Sequence, residues 1–342
     1  MSNDKLVVCG IDIGYSNVKI AVGDPADDKP TVSIYPAYAT NEAVEDVRLV
    51  KRNCEHEVLV YPGGKEWRAF TERPDARELH DRYHMTEMYL ALYLASLDKI
   101  AAKSGNDIDL VVTGLPVRLA NDSERAKLTA RLTGTFTIAP GKTVTVKKCL
   151  VLQQGVGVIN DIVNRPGLIS QEELEKATIL VVDPGFFSMD YIAFKSGSRV
   201  SGSSGSSLKA TSAIIESIVN RLNADNPEER IDDLPEIIEI ALRNNEPSFF
   251  NGFRHIPLRP LLEEAIPSIA SDVVKELRKS TRVLGPVHII AAAGGGTGFY
   301  EQTIREEFPR ARIVSSPLPV ASNAIGFWNY GVDLMLYGVG SG

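Results

Sequence analysis

The chain has 342 residues, 44% of them hydrophobic and 24% charged, enough apolar material for about two globular domains and too much for a disordered or fibrous chain. Its 37 basic and 44 acidic side chains leave a net charge of -7, a balance that repels phosphate and argues against direct coating of nucleic acid. Three cysteines, Cys9, Cys54 and Cys149, stand far apart with no Cys-x-x-Cys pair, which excludes a disulfide framework and a zinc knuckle. Cys9 lies in an apolar run and reads as a small core residue. The N-terminus is polar and its first apolar run is broken by Asp12, unlike a secretory leader. The densest apolar helical stretch, residues 88–97, is about half the length of a membrane span. The expectation is a cytoplasmic protein.

In chain order, β-branched runs at 6–13, 18–22 and 31–35, parted by Gly, Asp and Pro, predict strands. Residues 85–103 carry Met88, Leu92, Ala95 and Ile100 at helical spacing, with Gly105 as a stop. A strand follows at 109–113, then a helix from Ser123. Residues 136–139 and 143–152 read as the two arms of a hairpin around Pro140-Gly141, and a helix should follow Gln154 and end before Pro166. The second half begins afresh with an apolar strand at 178–182 and another at 190–194. Helices are expected at 208–223, 232–243 and 259–282, a strand at 287–292, a helix at 297–308, a short strand at 312–314 and a last helix at 321–336. Strands alternating with helices in two halves indicate an α/β chain of two lobes.

The halves share a repeat. Asp12-Ile-Gly14-Tyr15-Ser16-Asn17-Val-Lys19 and Asp183-Pro-Gly185-Phe-Phe-Ser188-Met-Asp190 both link two strands, and they lie 171 residues apart, half the length of the chain. Each predicts a hairpin whose tip offers backbone N–H groups, with glycine allowing close approach of a ligand, and such concave amide clusters suit phosphate oxygens. The copies differ at their eighth residue. Lys19 can pair with β- and γ-phosphate charge, whereas Asp190, with Asp12 and Asp183 as further partners, suits Mg²⁺ held through water. The pair predicts two hairpins clamping a metal-bound triphosphate.

These paired hairpins resemble the two phosphate motifs of the actin, sugar kinase and heat-shock ATPase superfamily. Val151-Leu-Gln-Gln154-Gly-Val-Gly157 resembles its connecting segment. Ala293-Gly294-Gly295-Gly296-Thr297 resembles the adenosine motif, and Ala321-Ser-Asn323-Ala-Ile-Gly326 the second connecting helix. Within the superfamily the chain is most similar to bacterial actins of the ParM/StbA plasmid-segregation type, through the first hairpin, Thr113-Gly-Leu-Pro116 and Gly202-Ser-Ser-Gly205. The resemblance implies an actin-like fold, each lobe built on a ribonuclease-H-like mixed sheet with flanking helices. Lobes at 1–165 and 166–342 are expected, with the last helix, about 318–336, returning to the first. It also implies ATP and ADP as ligands, Mg²⁺, and nucleotide contacts from Gly14, Tyr15, Ser16, Asn17, Lys19, Asp183, Gly185, Ser188, Gly202, Gly205, Gly294, Gly295, Gly296 and Asn323. One departure stands out: Phe186 and Phe187 replace the small residues many relatives carry in the second phosphate hairpin.

Other signals carry less. Gly141-Lys142-Thr143 lacks the preceding glycine of a P-loop, position 136 being Phe. Ser201 to Ser207 reads as a loop at the nucleotide's edge rather than a flexible linker. His80 and His84, four apart, read as a solvated helix face, since no third ligand accompanies them. Lys147, Lys148, Arg305, Arg310 and Arg312 are too scattered for a DNA-binding stripe.

Three functions fit an ATP clamp: a polymerising ATPase, a small-molecule kinase, or a nucleotide-switched scaffold without filaments. A kinase needs a carboxylate base, but after the strand the connecting segment offers Gln153 and Gln154, which orient water rather than abstract a proton. Gln154 is the expected water-positioning residue, with Asp12 and Asp190 completing the catalytic set. The expected output is a head-to-tail homopolymer that segregates plasmid DNA through an adaptor, with no direct nucleic-acid or membrane contact.

Overall fold

The computed structural model describes residues 5–41, 56–71 and 82–338. Cys54 and His80 lie outside them. The chain forms two compact units, one comprising Met1–Leu115, Leu119–Gln153 and Ala324–Gly342, the other Pro116–Arg118 and Gln154–Asn323.

The first unit contains β1 (Val8–Ile13), β2 (Asn17–Gly23), β3 (Thr31–Pro36), β4 (Ala39–Thr40), β5 (Val58–Val60), β6 (Trp67–Ala69), α1 (Glu87–Ser104), β7 (Asp107–Ile108), β8 (Leu110–Leu115), α2 (Asp122–Leu132), β9 (Gly134–Ala139), β10 (Lys142–Val146) and β11 (Cys149–Gln153). Its main sheet has the order β11-β8-β1-β2-β3, parallel from β11 to β1 and antiparallel from β1 to β3. Alternation places Cys9, Ile11, Val111, Cys149 and Val151 on one face, in a core shared with Leu92, Leu94 and Leu97 of α1. On the other face a side chain at Gly10 would collide with the backbone of the final helix, its Cβ 2.7 Å from the Trp328 nitrogen. Thr86 caps α1 by accepting from the Tyr89 amide, and Asn121 caps α2 by accepting from the Glu124 amide.

The second arm expected at 143–152 is two strands in two sheets. β10 pairs with β9 and β7, whereas β11 lies beside β8 in the main sheet. Burial falls on Val144 and Val146, then on Cys149, Val151 and Gln153, with exposed Lys147 and Lys148 between them. The alternation changes phase at the two lysines, which a single continuous strand cannot accommodate.

The second unit contains α3 (Val156–Val163), α4 (Gln171–Lys176), β12 (Thr178–Pro184), β13 (Met189–Lys195), β14 (Ser198–Arg199), β15 (Gly205–Ser207), α5 (Thr211–Asp225), α6 (Leu234–Arg243), β16 (Ser248–Phe250), β17 (His255–Pro257), α7 (Leu258–Thr281), β18 (Ile289–Ala292), α8 (Thr297–Glu307) and β19 (Arg312–Ser315); α9 (Ser322–Tyr337) starts in this unit and ends in the first. Its sheet runs β14-β13-β12-β18-β19, with β15 also paired to β13. β12 is buried on both faces: Leu180 and Val182 join the core of α5 and α7, while Ile179 and Val181 join that of α3. That is why its sequence is continuously apolar.

Two further expectations change. Ser201 to Ser207 is a short 3₁₀ turn followed by β15, so its end is a paired edge strand rather than a free loop. His84 is buried, not on a solvated face; its Nε2 lies 3.2 Å from Glu124 Oε2. Among the described residues no helix is long and apolar enough to cross a membrane.

Candidate functional site

The repeat folds as two hairpins of identical register. Asp12 pairs with Lys19 and Ile13 with Val18 across β1 and β2; Asp183 pairs with Asp190 and Pro184 with Met189 across β12 and β13. Each is closed by the same bond, Gly14 N–H to the Asn17 carbonyl at 3.1 Å and Gly185 N–H to the Ser188 carbonyl at 2.8 Å. Residues 14–17 and 185–188 are half-buried, and the residues flanking them on the strands are buried except for half-buried Lys19. Both tips therefore present backbone from a fixed base.

In the first unit, Lys19 Nζ donates to Asp12 Oδ2 at 3.1 Å, and both side chains are largely shielded from water. A Cβ at Gly14 would lie 3.0 Å from Lys19 Nζ and 3.2 Å from the Asn17 carbonyl oxygen, so glycine leaves room for the lysine head at the tip. Tyr15 stacks on Tyr83 with centroids 4.3 Å apart, and the Ser16 carbonyl accepts from the Ala37 amide at 3.0 Å. Tyr83 sits in a turn gripped by α2, where Arg131 donates to the His84 carbonyl at 3.0 Å and the Thr86 carbonyl at 2.7 Å. Nothing in the local sequence of the hairpin announces this brace, which is a contact across 68 residues.

In the second unit, four distant segments meet at Asp183. Asn323 Nδ2 donates to Asp183 Oδ2 at 2.6 Å, and its Oδ1 accepts from the Gly155 amide at 2.9 Å. The triple glycine packs on the same hairpin. The Gly296 amide donates to the Pro184 carbonyl at 2.9 Å, and Gly294, at φ +91°, has no room for a side chain: its Cβ would lie 2.6 Å from the Pro184 oxygen. Position 296 is as tight, with a Cβ 2.8 Å from Thr211 Oγ1, whereas Gly295 is exposed and meets only Val320 at 3.7 Å. Gly294 and Gly296 are thus glycines because a strand-to-helix turn abuts the second hairpin. Phe186 packs against the apolar core beneath α5, and its carbonyl accepts from the Ser212 amide at 2.8 Å.

Asp190 is buried and well supplied with donors. Its Oδ1 accepts from the Val117 amide at 2.8 Å and from the Ser206 hydroxyl; its Oδ2 accepts from the Ser188 hydroxyl at 2.9 Å. Burial pushes its carboxyl above the usual range, against the pull of these hydrogen bonds. Ser188, expected to face phosphate, here donates its hydroxyl hydrogen bond to Asp190. Gly205 lies on β15, where a Cβ would meet the Tyr191 hydroxyl at 2.8 Å; Gly202, in the 3₁₀ turn, has nothing within 4 Å of a Cβ and is not drawn into these contacts. Gln154 lies between β11 and the Gly155 cap of α3 and is half-buried. Its neighbour Gln153 is buried with Oε1 lacking any hydrogen-bond partner.

Residues 10–157 match the family model of actin-like proteins, N-terminal domain. The match takes in less than half of the chain, and the likeness to solved structures extends over nearly all of it. An archaeal actin homolog is 18% identical, covering 95% of this chain and 98% of its own with a TM-score of 0.73. A ParM from a 15-stranded filament of Clostridium botulinum is 16% identical over 96% of this chain and 99% of its own, TM-score 0.68. A Bacillus thuringiensis ParM solved with ATP is 14% identical over 97% and 100%, TM-score 0.61. No curated protein matches on sequence. The chain has the two-lobed α/β fold of the actins, as expected from the motifs.

Proposed function

We propose that this chain is an ATPase that assembles into filaments when it binds ATP with Mg²⁺ and disassembles after hydrolysis. The observation that carries the reading is the duplication of one hairpin in one register, each with a half-buried tip of backbone amides and a charged pair at its base. The ADP complex of the archaeal homolog and the ATP complex of the B. thuringiensis ParM support nucleotide binding. The C. botulinum filament supports self-association.

Lys19 supplies a positive charge to the β- and γ-phosphates, with Asp12 as the counter-ion that keeps the ammonium aimed at the tip. The amides of residues 14–17 and 185–188 cradle phosphate oxygens. Asn323 orients Asp183, and Gly294 to Gly296 face the adenosine. A divalent cation suits Asp12 and Asp183 as holders of its water shell: each is buried with one oxygen already taken by a protein donor, and among the described residues no three His, Cys, Asp or Glu side chains group to ligate an ion directly. Bound there, magnesium would neutralise charge on the transferring phosphoryl group. Gln154 orients the attacking water.

Head-to-tail contacts that do not close on themselves give open filaments. With a net charge of -7, contact with DNA is assigned to an adaptor protein, and the work to segregation of a plasmid in the cytoplasm. The test is phosphate release from ATP with and without small-molecule acceptors. The ATPase reading expects steady release from protein, ATP and Mg²⁺ alone; release only after a sugar or carboxylate is added would assign the chain to the kinases.

A further inference from the structure

Pro116–Arg118 is a three-residue strap that belongs to the second unit while Leu115 and Leu119 on either side belong to the first. What fastens it is Asp190. The Val117 amide donates to Asp190 Oδ1 at 2.8 Å, and the Arg118 amide donates to Ser206 Oγ at 3.3 Å while that hydroxyl in turn donates to Asp190. The other carboxylate oxygen accepts a hydrogen bond from the Ser188 hydroxyl, at the end of the hairpin tip. β15 brings Ser206 directly opposite Asp190 in the sheet. The strap leads straight out of β8, whose last residue, Leu115, is in register with Gln153 at the end of β11, next to Gln154.

We propose that Asp190 is a positioning residue, a latch that ties the strap, β15 and the tip of the second hairpin into one piece, rather than a group that orders the metal's water. Two observations separate the two roles. Both of its oxygens are occupied by protein donors. The residue in the same register of the first hairpin, Lys19, is half-buried, so the two copies differ in burial at this place as well as in charge. The latch acts on turnover through what it holds: the Ser188 hydroxyl at the hairpin tip, β15 and the strap.

The latch needs hydrogen-bond acceptors at position 190 but no negative charge, which makes the amide isostere decisive. Asp190→Asn keeps an oxygen at Oδ1 for the Val117 amide and the Ser206 hydroxyl, and the Ser188 hydroxyl can rotate to accept from its nitrogen. Amide hydrogen exchange at Val117, measured on the full chain without nucleotide, should stay within about threefold of the parent in Asp190→Asn and accelerate by about 100-fold in Asp190→Ala. Ser206→Ala, which leaves the carboxylate intact, should give an intermediate acceleration. The turnover arm rests on the ATPase reading: Asp190→Asn should lose less than about tenfold in kcat and Asp190→Ala about 100-fold, with KM for ATP changing little in either. Equal, large losses in kcat for Asn and Ala, with Val117 still protected in Asn, would overturn the latch in favour of a metal-ordering carboxylate. Rapid Val117 exchange in the parent would overturn it outright. A parent that protects Val117 but hydrolyses no ATP would leave the latch standing and remove the ATPase reading.

Discussion

Lys19 and Asp12 face each other across the first hairpin and share a hydrogen bond of 3.1 Å, so the hairpin carries its own counter-ion. A phosphate held at the tip, as proposed, would compete with a carboxylate for the same ammonium. The pair is largely shielded from water, at 12% and 6% side-chain exposure, so removing one member takes the opposite charge away from the shielded charge that stays. Lys19→Met should cost about 3 kcal/mol, and Asp12→Asn a similar amount. In denaturant melts, the double variant should lose about 2 kcal/mol less than the sum of the two singles. Strictly additive losses would mean the two charges do not feel each other.

The glycine turn offers a contrast within three residues. Gly294→Ala forces a Cβ against the Pro184 carbonyl at a left-handed backbone angle, and should destabilise the second unit by about 3 kcal/mol. Gly295→Ala meets only a methyl group at 3.7 Å and should fall within about 0.5 kcal/mol of the parent. Thermal melts of both variants check this, and similar losses from the two would refute the close-packing account of the motif.

Gln154→Ala should lower phosphate release about 100-fold while leaving nucleotide affinity within about twofold, since the side chain is assigned to water and not to phosphate. Gln153→Ala serves as the comparison, because its buried Oε1 has no partner. If Gln153→Ala loses the rate and Gln154→Ala does not, the water-positioning role moves one residue.

Burial pushes the Cys149 thiol up to about 12, and the Cys9 thiol rises for the same reason. Both should resist alkylation at pH 8 in the native protein and react only on unfolding, as peptide mapping would reveal. Because the folded values exceed the unfolded value of 9.0, the thiols stabilise the fold fully below pH 9. That contribution should decline as pH rises from 9 toward 12, by about 1.4 kcal/mol per unit for each group. Melts that show no decline traceable to Cys149→Ala and Cys9→Ala would contradict the burial.

The hairpins were legible because their information is local: a strand, Asp-x-Gly, a short tip and a strand, written twice. The expectation of a single arm at 143–152 missed the change of alternation phase at Lys147 and Lys148, although Val146 and Cys149 cannot share a face of one strand. What escaped the sequence is held by long-range contacts. Tyr83 reaches Tyr15, and Asn323 reaches Asp183 across 140 residues. The charge of Asp190 invites a metal, but its donors come from Val117, Ser206 and Ser188, and only the folded chain brings the first two to it. Phe186 looks obstructive in the sequence because its destination, the core beneath α5, is not encoded nearby.

In the proposed cycle nucleotide and assembly are coupled, and sedimentation with added nucleotide measures that coupling most directly. With ATP and Mg²⁺ the protein should pellet above a critical concentration, stay longer in the pellet with a slowly hydrolysed ATP analogue, and return to the supernatant with ADP. A chain that remains monomeric at every concentration with ATP and Mg²⁺, and consumes ATP only when a small-molecule acceptor is supplied, would contradict it.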